Sequence, residues 1–345
     1  EMSASLVGSE MCIRDRKKDE KGVWTFTSQL LSPELYSYNF LLDGVKIVDP
    51  GSVYITRDIT SETNIFILSD KKGDCGDLYT VNEVPHGNVS KVWYDSPTLK
   101  MQRRMTVYTP AGYDKGKDYP VLYLLHGAGG DEDAWTTLGR AQHILDNLIA
   151  TGKAKPMVVV MTNGNPNCQA APGEWSAGQY IPSFYGYQGA KPAATMDESF
   201  PDVMNYVENH YKVAKDKAHR AICGLSMGGG HSFDISRRFP TKFDYIGLFS
   251  AGLHVSTTGD FRNDFYKQLQ GNEEAKTQLA TLFKNKPKLY WIGMGKTDFL
   301  YKSSADLRRY FDEKGYKYTY METEGGHIWR NWRVYLTEFA QKIFK

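Results

Sequence analysis

The chain has 345 residues, a formal net charge of +2 and 24% charged residues, so its length suits one large domain or two unequal ones. The near-neutral charge and the lack of a basic stripe argue against a nucleic-acid partner, and no run of about 18 apolar residues could cross a bilayer. The cysteines lack metal-ligand spacing, so no metal site is predicted; they are Cys12, Cys75, Cys168 and Cys223.

The first sixteen residues, EMSASLVGSEMCIRDR, have neither the basic start nor the continuous apolar stretch of a signal peptide. They show no strand periodicity and resemble translated sequencing-adapter read-through. We therefore expect residues 1–16 to be a non-native leader and the native start to be missing. The lack of a signal then says nothing about export.

An antiparallel β pattern runs through residues 17–70. A strong hairpin signal, Asp43-Gly44, follows an alternating apolar segment. Strand-like segments lie on both sides of this turn, at residues 23–27, 36–42, 45–48 and 63–67. We predict a small antiparallel β-sandwich over residues 17–70, followed by a polar linker over residues 71–84.

From residue 85 onward, strand and helix patterns alternate to the end of the chain. Helical periodicity is present, for example, at residues 197–211 and 303–314. This alternation predicts a doubly wound, mostly parallel α/β sheet over residues 85–345. The predicted strands are residues 92–94, 105–109, 121–125, 157–162, 220–224, 245–250, 289–293 and 318–322.

The most informative motif is Gly224-Leu225-Ser226-Met227-Gly228, which follows a short apolar run. Glycine on both sides of a serine allows a sharp turn from strand to helix that exposes the hydroxyl. Such a hydroxyl becomes a nucleophile when a neighbouring base takes its proton. We predict Ser226 as that nucleophile and a helix within residues 232–239; the alternative is an ordinary glycine-rich turn.

An acid and then a histidine are expected downstream of such a serine. Asp298 is the candidate acid, because it follows an apolar strand at the end where open α/β sheets place functional groups. Asp306 is a weaker candidate for the acid, because it falls inside a predicted helix. His327 follows a β-type run and two glycines, and its imidazole is suited to moving the serine proton. The main rival to His327 is His254, on the loop after the strand at 245–250.

A loop rich in small residues follows the continuous apolar strand that ends at Leu125. In this architecture that loop supplies one backbone N–H to the oxyanion, and the residue after the nucleophile supplies the other. We expect the donors to be Met227 and either Gly127 or Ala128. His126 is expected to hold the loop by a side-chain hydrogen bond rather than to act in catalysis.

Aromatic residues make up 13% of the chain, which suits core packing and equally the stacking of sugars or phenolic rings. Several of them follow predicted strand ends. The candidates for substrate contact are Trp135, Trp175, Tyr180, Phe299 and Trp329.

With these residues in view, residues 85–345 resemble the esterase D-like α/β-hydrolases, specifically carbohydrate esterase family 1. The resemblance rests on the blocks LLHGAGGDEDAW, TNGNPN, ICGLSMGG, WIGMGKTDFL and GGHIWRNWRVYLTEF. The preceding segment YSYNFLLDGVKIVDPGS resembles the family 48-type carbohydrate-binding (early-set immunoglobulin-like) domain that precedes some bacterial feruloyl esterases. By position, Ser226, Asp298 and His327 match the family triad, and Met227 with the Gly127–Ala128 region matches its oxyanion hole.

The resemblance implies a serine esterase that releases ferulic acid from arabinoxylan-type material. Its partner would be a feruloylated plant cell-wall polysaccharide or oligosaccharide, its location secreted or periplasmic, and it would need no metal or cofactor. Acetyl-xylan esterases and catechol-siderophore (enterobactin-type) esterases share these motifs and stay open as alternatives. A glycan-binding pseudo-hydrolase is the non-enzyme alternative, and the intact serine, aspartate and histidine argue against it.

Overall fold

The computed structural model describes residues 17–175, 180–182, 192–255 and 264–345 in full, and the backbone of residues 2–7 and 11–13. The chain divides into two units, Glu1–Glu83 and Val84–Lys345. Within the described residues, no helix is both long enough and apolar enough to span a membrane.

The N-terminal unit consists of short antiparallel strands. In its described residues these are β1 (Met2–Val7), β2 (Met11–Ile13), β3 (Lys17–Lys18), β4 (Trp24–Thr25), β5 (Glu34–Leu42), β6 (Val45–Ile47), β7 (Ile55–Asp58) and β8 (Ser61–Leu68). Six of them form one sheet in the order β2-β1-β5-β8-β7, with β6 also paired to β5, while β3 pairs with β4. The predicted antiparallel character of this region is confirmed.

The hairpin between β5 and β6 forms at the predicted turn. Asp43 and Gly44 both have positive φ, 48° and 83°, as a two-residue hairpin of the I′ type requires. On β5, Tyr36 is buried and stacks on Phe66 of β8 with ring centroids 5.4 Å apart. The alternation along β5 therefore places its aromatic residues in the small core of this unit.

Two segments of this unit differ from the expectation. No strand was expected in residues 1–16, whereas the backbone of β1 pairs with β5 along its whole length. The backbone groups along the edge of β5 need hydrogen-bond partners, and a neighbouring segment can supply them whatever its side-chain pattern. Residues 2–7 can therefore pair with β5 although they lack strand periodicity. The non-native origin of residues 1–16 stays a prediction.

The second difference is a short helix, α1 (Cys75–Tyr79), within the predicted linker. Asp74 caps it by accepting a hydrogen bond from the N–H of Asp77. Leu78 and Tyr79 are buried, and α1 packs against β5 and β8. The polar composition of residues 71–84 gave no sign of this contact. A single helical turn can pack against a sheet through only two apolar side chains, here Leu78 and Tyr79.

The C-terminal unit is built around a twisted eight-stranded sheet in its described residues. Its strands are β9 (Asn88–Ser96), β10 (Met101–Thr109), β11 (Val121–Leu125), β12 (Val158–Thr162), β13 (Arg220–Leu225), β14 (Tyr245–Phe249), β15 (Leu289–Gly295) and β16 (Thr319–Thr323). The order is β16-β15-β14-β13-β11-β12-β10-β9, and every pair is parallel except β12–β10 and β10–β9. The predicted mostly parallel sheet is confirmed.

Helices cover both faces of this sheet. They are α2 (Ala134–Thr137), α3 (Ala141–Ala150), α4 (Met196–His210), α5 (Met227–Arg238), α6 (Phe265–Gly271), α7 (Glu273–Lys284), α8 (Tyr301–Lys314) and α9 (Trp329–Ala340). The largest core cluster lies under α4 to α8, while the other face of the sheet packs on α9. Strands β11, β12 and β14 are buried throughout, as their continuous apolar runs predict.

Candidate active site

Ser226 occupies a sharp turn between β13 and α5. Its backbone has φ 52° and ψ −115°, a conformation that costs a non-glycine residue about 1–3 kcal/mol. Three backbone hydrogen bonds hold it there: its N–H donates to the Phe249 carbonyl at 2.9 Å, and its carbonyl accepts from the N–H groups of Gly252 at 2.8 Å and Gly230 at 3.0 Å. The helix starts directly at Met227, five residues earlier than expected, so its N-terminus adjoins the serine.

The glycines of the motif are required by close backbone approach. A Cβ at Gly224 would lie 2.5 Å from the Gly228 carbonyl oxygen. A Cβ at Gly228 would lie 2.5 Å from the carbonyl oxygens of both Leu125 and His126. The turn after β13 is therefore packed directly against the end of β11, and larger side chains would push the two apart.

Asp298 and His327 meet at the same edge of the sheet, where β15 and β16 end. The Nδ1 of His327 lies 2.9 Å from Oδ2 and 3.0 Å from Oδ1 of Asp298. The carboxylate is buried and also accepts from the N–H of Leu300 at 2.9 Å. An ionised carboxylate can only accept, so Nδ1 carries the proton and Nε2 is left as the basic nitrogen.

Backbone contacts fix the loop that carries the histidine. The N–H of Thr297 donates to the carbonyl of Gly325 at 3.0 Å, which ties the loop after β15 to the loop after β16. The side-chain amide of Asn331 donates to the carbonyl of Gly326 at 2.9 Å. The acid and the histidine are therefore held together by more than their own hydrogen bond.

The rival residues lie elsewhere. Asp306 is on α8 and forms an ion pair with Lys302 at 3.0 Å. His254 is exposed on the loop after β14. The histidine that meets the carboxylate of Asp298 is His327.

Two of the three expected oxyanion donors, Gly127 and Met227, lie beside the serine. A Cβ at Gly127 would lie 3.3 Å from the Ser226 Cβ and 2.5 Å from Cδ1 of Leu225, so the Gly127 backbone adjoins the serine. Met227 is the first residue of α5, and N–H groups in the first turn of a helix have no carbonyl partner within it. Ala128 is exposed on the same loop.

A protein-family profile described as "Putative esterase" matches residues 96–343. The chain belongs to this esterase family. The "Endo-1,4-beta-xylanase/feruloyl esterase" of Xylanibacter ruminicola is 32% identical to it over 340 residues, which cover 95% of this chain and 41% of that protein. The esterase chain thus spans less than half the length of this curated relative.

Solved structures share the fold. A CE1 ferulic acid esterase from Anaeromyces mucronatus, determined without substrate, is 26% identical with a TM-score of 0.58, covering 78% of this chain and 96% of that chain. The enterobactin esterase of Shigella flexneri has a TM-score of 0.63 at 14% identity, covering 99% of this chain and 87% of that chain, which is a likeness of fold alone. The predicted α/β-hydrolase fold is confirmed.

One predicted substrate contact of the esterase is a core residue instead. Trp135 is only 1% exposed, its Nε1 donates to the Leu125 carbonyl at 2.9 Å, and its ring packs edge-on against Phe249 and Trp329. It has no surface left for a substrate, so its selection as a pocket residue was wrong. Its position soon after the oxyanion loop reflects packing, because an indole fills the space between the end of β11 and α9.

The other aromatic candidates differ in exposure. Phe299 is 56% exposed, and its ring centroid lies 4.5 Å from that of His327. Trp329 is half-buried against Trp135, and Tyr180 is 78% exposed. Trp175 is buried and lines a small cleft together with Gly130, Asn163, Asn165, Ile181 and Pro182. Phe299 is thus the candidate that combines exposure with contact to the histidine.

His126 has the structural role that was expected of it. Its Nε2 accepts the Gly164 N–H at 2.8 Å, so its Nδ1 carries the proton and donates to the Gly127 carbonyl at 2.7 Å. Burial lowers the pKa of His126 and keeps the ring neutral. The ring therefore joins the loop after β11 to the loop after β12.

Sequence reasoning missed a buried ion-pair network behind this loop. Glu132 accepts hydrogen bonds from Nε of Arg104 at 2.7 Å, from the side chain of Asn163 at 2.9 Å and from the N–H of Ala171 at 2.9 Å. Burial raises the pKa of Glu132, while the hydrogen bonds from the Ala171 N–H and from Arg104 oppose that shift. Two features of the sequence could have indicated this network. One is the arginine pair inside the otherwise apolar strand β10, and the other is the Asp-Glu-Asp run at residues 131–133, in the loop after β11.

The second arginine of that pair, Arg103, points to the opposite face of the sheet. Its guanidinium donates to the carbonyls of Asn163 and Asn165, and its Nε donates to the carbonyl of Cys168 at 3.0 Å. The loop after β12 is thus held from both sides of β10. In the described residues, no group of three or more His, Cys, Asp or Glu side chains is placed to hold a metal ion.

Proposed function

We propose that this chain is a serine carboxylic-ester hydrolase that releases hydroxycinnamic acids, ferulic acid in particular, from feruloylated plant polysaccharide. The observation that carries the proposal is the pairing of His327 with the buried Asp298, at the sheet edge that also presents the strained turn at Ser226. The 32% identity to a protein named as a xylanase and feruloyl esterase supports the choice of ester.

In the first half of the reaction, Nε2 of His327 takes the proton of Ser226 as the hydroxyl oxygen attacks the ester carbonyl. Asp298 keeps the imidazole in the tautomer that can accept this proton and stabilises the imidazolium that forms. The tetrahedral intermediate collapses when His327 returns the proton to the leaving sugar alcohol. The products are an acyl-enzyme and a free sugar hydroxyl.

In the second half, His327 takes a proton from water, and the resulting hydroxide attacks the acyl-enzyme. The free acid leaves and the proton returns to the Ser226 oxygen. In both halves the N–H groups of Met227 and Gly127 stabilise the negative oxygen, because they are fixed before the charge develops. Gly127 is preferred to Ala128 because its backbone adjoins the serine.

The acyl group would stack on Phe299. A planar phenolic acid gains about 25 cal/mol for each Å² of apolar surface that it buries, and an acetyl group has little surface to offer. Phe299 is exposed and its ring centroid lies 4.5 Å from that of His327, which supports this role.

A polymeric substrate places the reaction outside the cell, so we propose that the native enzyme is secreted or periplasmic. Binding of glycan by the N-terminal β unit also belongs to this proposal. It would increase the local concentration of polymer around the ester-cleaving unit.

A panel of substrates tests the proposed function. Initial rates are measured on methyl ferulate, 4-nitrophenyl acetate, acetylated xylan and a triscatecholate siderophore under identical conditions. The expected result is the highest kcat/KM on methyl ferulate. Preference for acetylated xylan or for the siderophore would overturn the ferulate assignment and leave the serine-esterase mechanism standing.

A further inference from the structure

An exposed tryptophan lies on the outermost strand of the large sheet. Trp93 on β9 is 44% exposed, while other large aromatic residues of the sheet, such as Trp291 on β15 and Tyr123 on β11, are buried. It pairs directly with Arg104 on β10, whose guanidinium carbon lies 5.9 Å from the centre of the indole ring. The indole is therefore supported from the sheet and open to solvent.

Polar side chains surround this ring on the same face of the sheet. Lys91 and Asp95 lie two residues to either side of Trp93, and Gln102 is the cross-strand partner of Asp95; all three are exposed. Glu174, which is half-exposed, forms an ion pair with Arg104 at 2.9 Å. We call Lys91, Trp93, Asp95, Gln102 and Glu174 the Trp93 patch.

The charges of the patch restrict what it can bind. Its cation Lys91 is held in an ion pair with Asp133 at 2.8 Å, and the guanidinium of Arg104 against the ring pairs with both Glu132 and Glu174. With Asp95, four carboxylates therefore face two cations. This excess of carboxylate disfavours nucleic acids and anionic membranes. A neutral sugar suits the patch, because carboxylate and amide groups accept and donate hydrogen bonds to hydroxyls, and an indole face packs against the C–H face of a sugar ring.

The patch lies at the same edge of the sheet as the candidate active site. Thr162, the last residue of β12, is level with Met105 of β10, so Arg104 and Trp93 lie at the carboxyl ends of the parallel strands. From β13 to β9 there are four strand spacings, roughly 19 Å at about 4.8 Å each. A sugar polymer can cover that distance, and a small ester such as methyl ferulate cannot.

The connection to the oxyanion loop is direct. Arg104 donates to the buried Glu132, which lies five residues after Gly127 in the same loop. The guanidinium of Arg104, against which Trp93 packs, is thus fixed relative to the loop that flanks Ser226. A fixed distance allows two subsites to bind one chain without the cost of ordering a flexible connection.

We propose that the Trp93 patch binds a neutral sugar chain, the polysaccharide that carries the scissile ester, with a sugar ring stacked on Trp93. The inference rests on the proposed function, because it takes the polymer as the substrate. It adds a binding subsite four strands away from the nucleophile.

The test compares a polymeric with a small substrate. For Trp93→Ala, KM on feruloylated arabinoxylan is expected to rise about fivefold or more, equivalent to ~1 kcal/mol, so the ratio of polymer to methyl ferulate kcat/KM falls by the same factor. Trp93→Tyr should keep most of the wild-type ratio of polymer to methyl ferulate kcat/KM, since the smaller aromatic ring can still stack on a sugar. Val89→Ala is the matched control, because Val89 is exposed on the same strand and face but lies farther from the carboxyl edge, and its ratio should match wild type.

A binding measurement separates this inference from the proposed function. Calorimetric titration of the Ser226→Ala protein with an unsubstituted xylo-oligosaccharide should show a binding site whose affinity falls about fivefold or more in Trp93→Ala, whatever ester the enzyme cleaves and whatever the N-terminal β unit binds. Unchanged polymer kinetics in folded Trp93→Ala, or a xylo-oligosaccharide titration that Trp93→Ala leaves unchanged, would overturn the inference. Should Trp93→Ala fail to fold, the double substitution of Asp95 and Gln102 by alanine is expected to weaken binding and provides the same test.

Discussion

The Nδ1 of His327 lies 2.9 Å from Oδ2 of Asp298, a carboxylate buried at the end of strand β15. This pair fixes which ring nitrogen carries the proton. It leaves Nε2 as the basic nitrogen of His327, on a loop at the sheet edge that also carries Ser226.

Replacing Asp298 by asparagine should therefore reduce kcat by about three to four orders of magnitude. The amide can donate to Nδ1 and so favours the wrong imidazole tautomer. Asp306→Asn is the control, because Asp306 pairs with Lys302 and not with the histidine. The kcat of both variants is measured by steady-state kinetics on methyl ferulate. A larger loss of kcat in Asp306→Asn than in Asp298→Asn would show that the acid is misassigned.

The glycine at 228 should be needed for stability as well as for activity. An added Cβ at Gly228 would lie 2.5 Å from two backbone carbonyl oxygens, which cannot move aside as a flexible side chain can. Gly228→Ala should lower the free energy of unfolding by about 2 kcal/mol or more in urea denaturation. Gly271→Ala, at a helical site with nothing within 4 Å of the added Cβ, should leave it unchanged or slightly raised, and equal losses would refute the packing argument.

Phe299→Ala and Trp135→Ala should differ in kind. Phe299 is exposed beside His327, so its loss should reduce kcat/KM on methyl ferulate much more than on 4-nitrophenyl acetate. Trp135 is buried, so its truncation should cost about 3–5 kcal/mol of stability and reduce both activities alike. Rates on both esters, together with a thermal melt of each variant, distinguish a role in substrate recognition from a role in packing. Equal loss of both activities in Phe299→Ala would contradict a role of Phe299 in acyl binding.

Acid should destabilise the fold through buried histidines. Burial lowers the pKa of His231 to about 4, whereas an unfolded chain protonates histidine near pH ~6.5. Between these values the unfolded state binds more protons, so the free energy of unfolding falls as the pH drops from about 6.5 to about 4, by up to ~1.4 kcal/mol per pH unit. His231→Gln should reduce that slope in urea denaturation series at several pH values; an unchanged slope would show that other groups cause it.

Much of the fold could be predicted from the sequence because the signals are local. Continuous apolar runs identify parallel strands, and the glycine-flanked Ser226 identifies the turn after one of them. The prediction of Asp298 and His327 rests on the same kind of signal, since each follows an apolar strand and a glycine-bent loop. Their chain order then restricts the candidates further.

The features that escaped prediction depend on contacts between distant parts of the chain. Arg104 and Glu132 are 28 residues apart, and Trp135 becomes a core residue only because α9 packs over it. The pairing of β1 with β5 likewise depends on the partner strand and not on any pattern within residues 2–7. Sequence periodicity records which side of an element is apolar, but not which element will cover it.

The role of Ser226 as the nucleophile of an ester hydrolase is best examined by measuring kcat/KM on methyl ferulate for the wild-type and Ser226→Ala proteins, both purified free of contaminating esterase. Wild type should turn over methyl ferulate measurably, and the variant should lose at least about three orders of magnitude, because the serine and its base act as a unit. Turnover by Ser226→Ala near the wild-type rate would contradict this role.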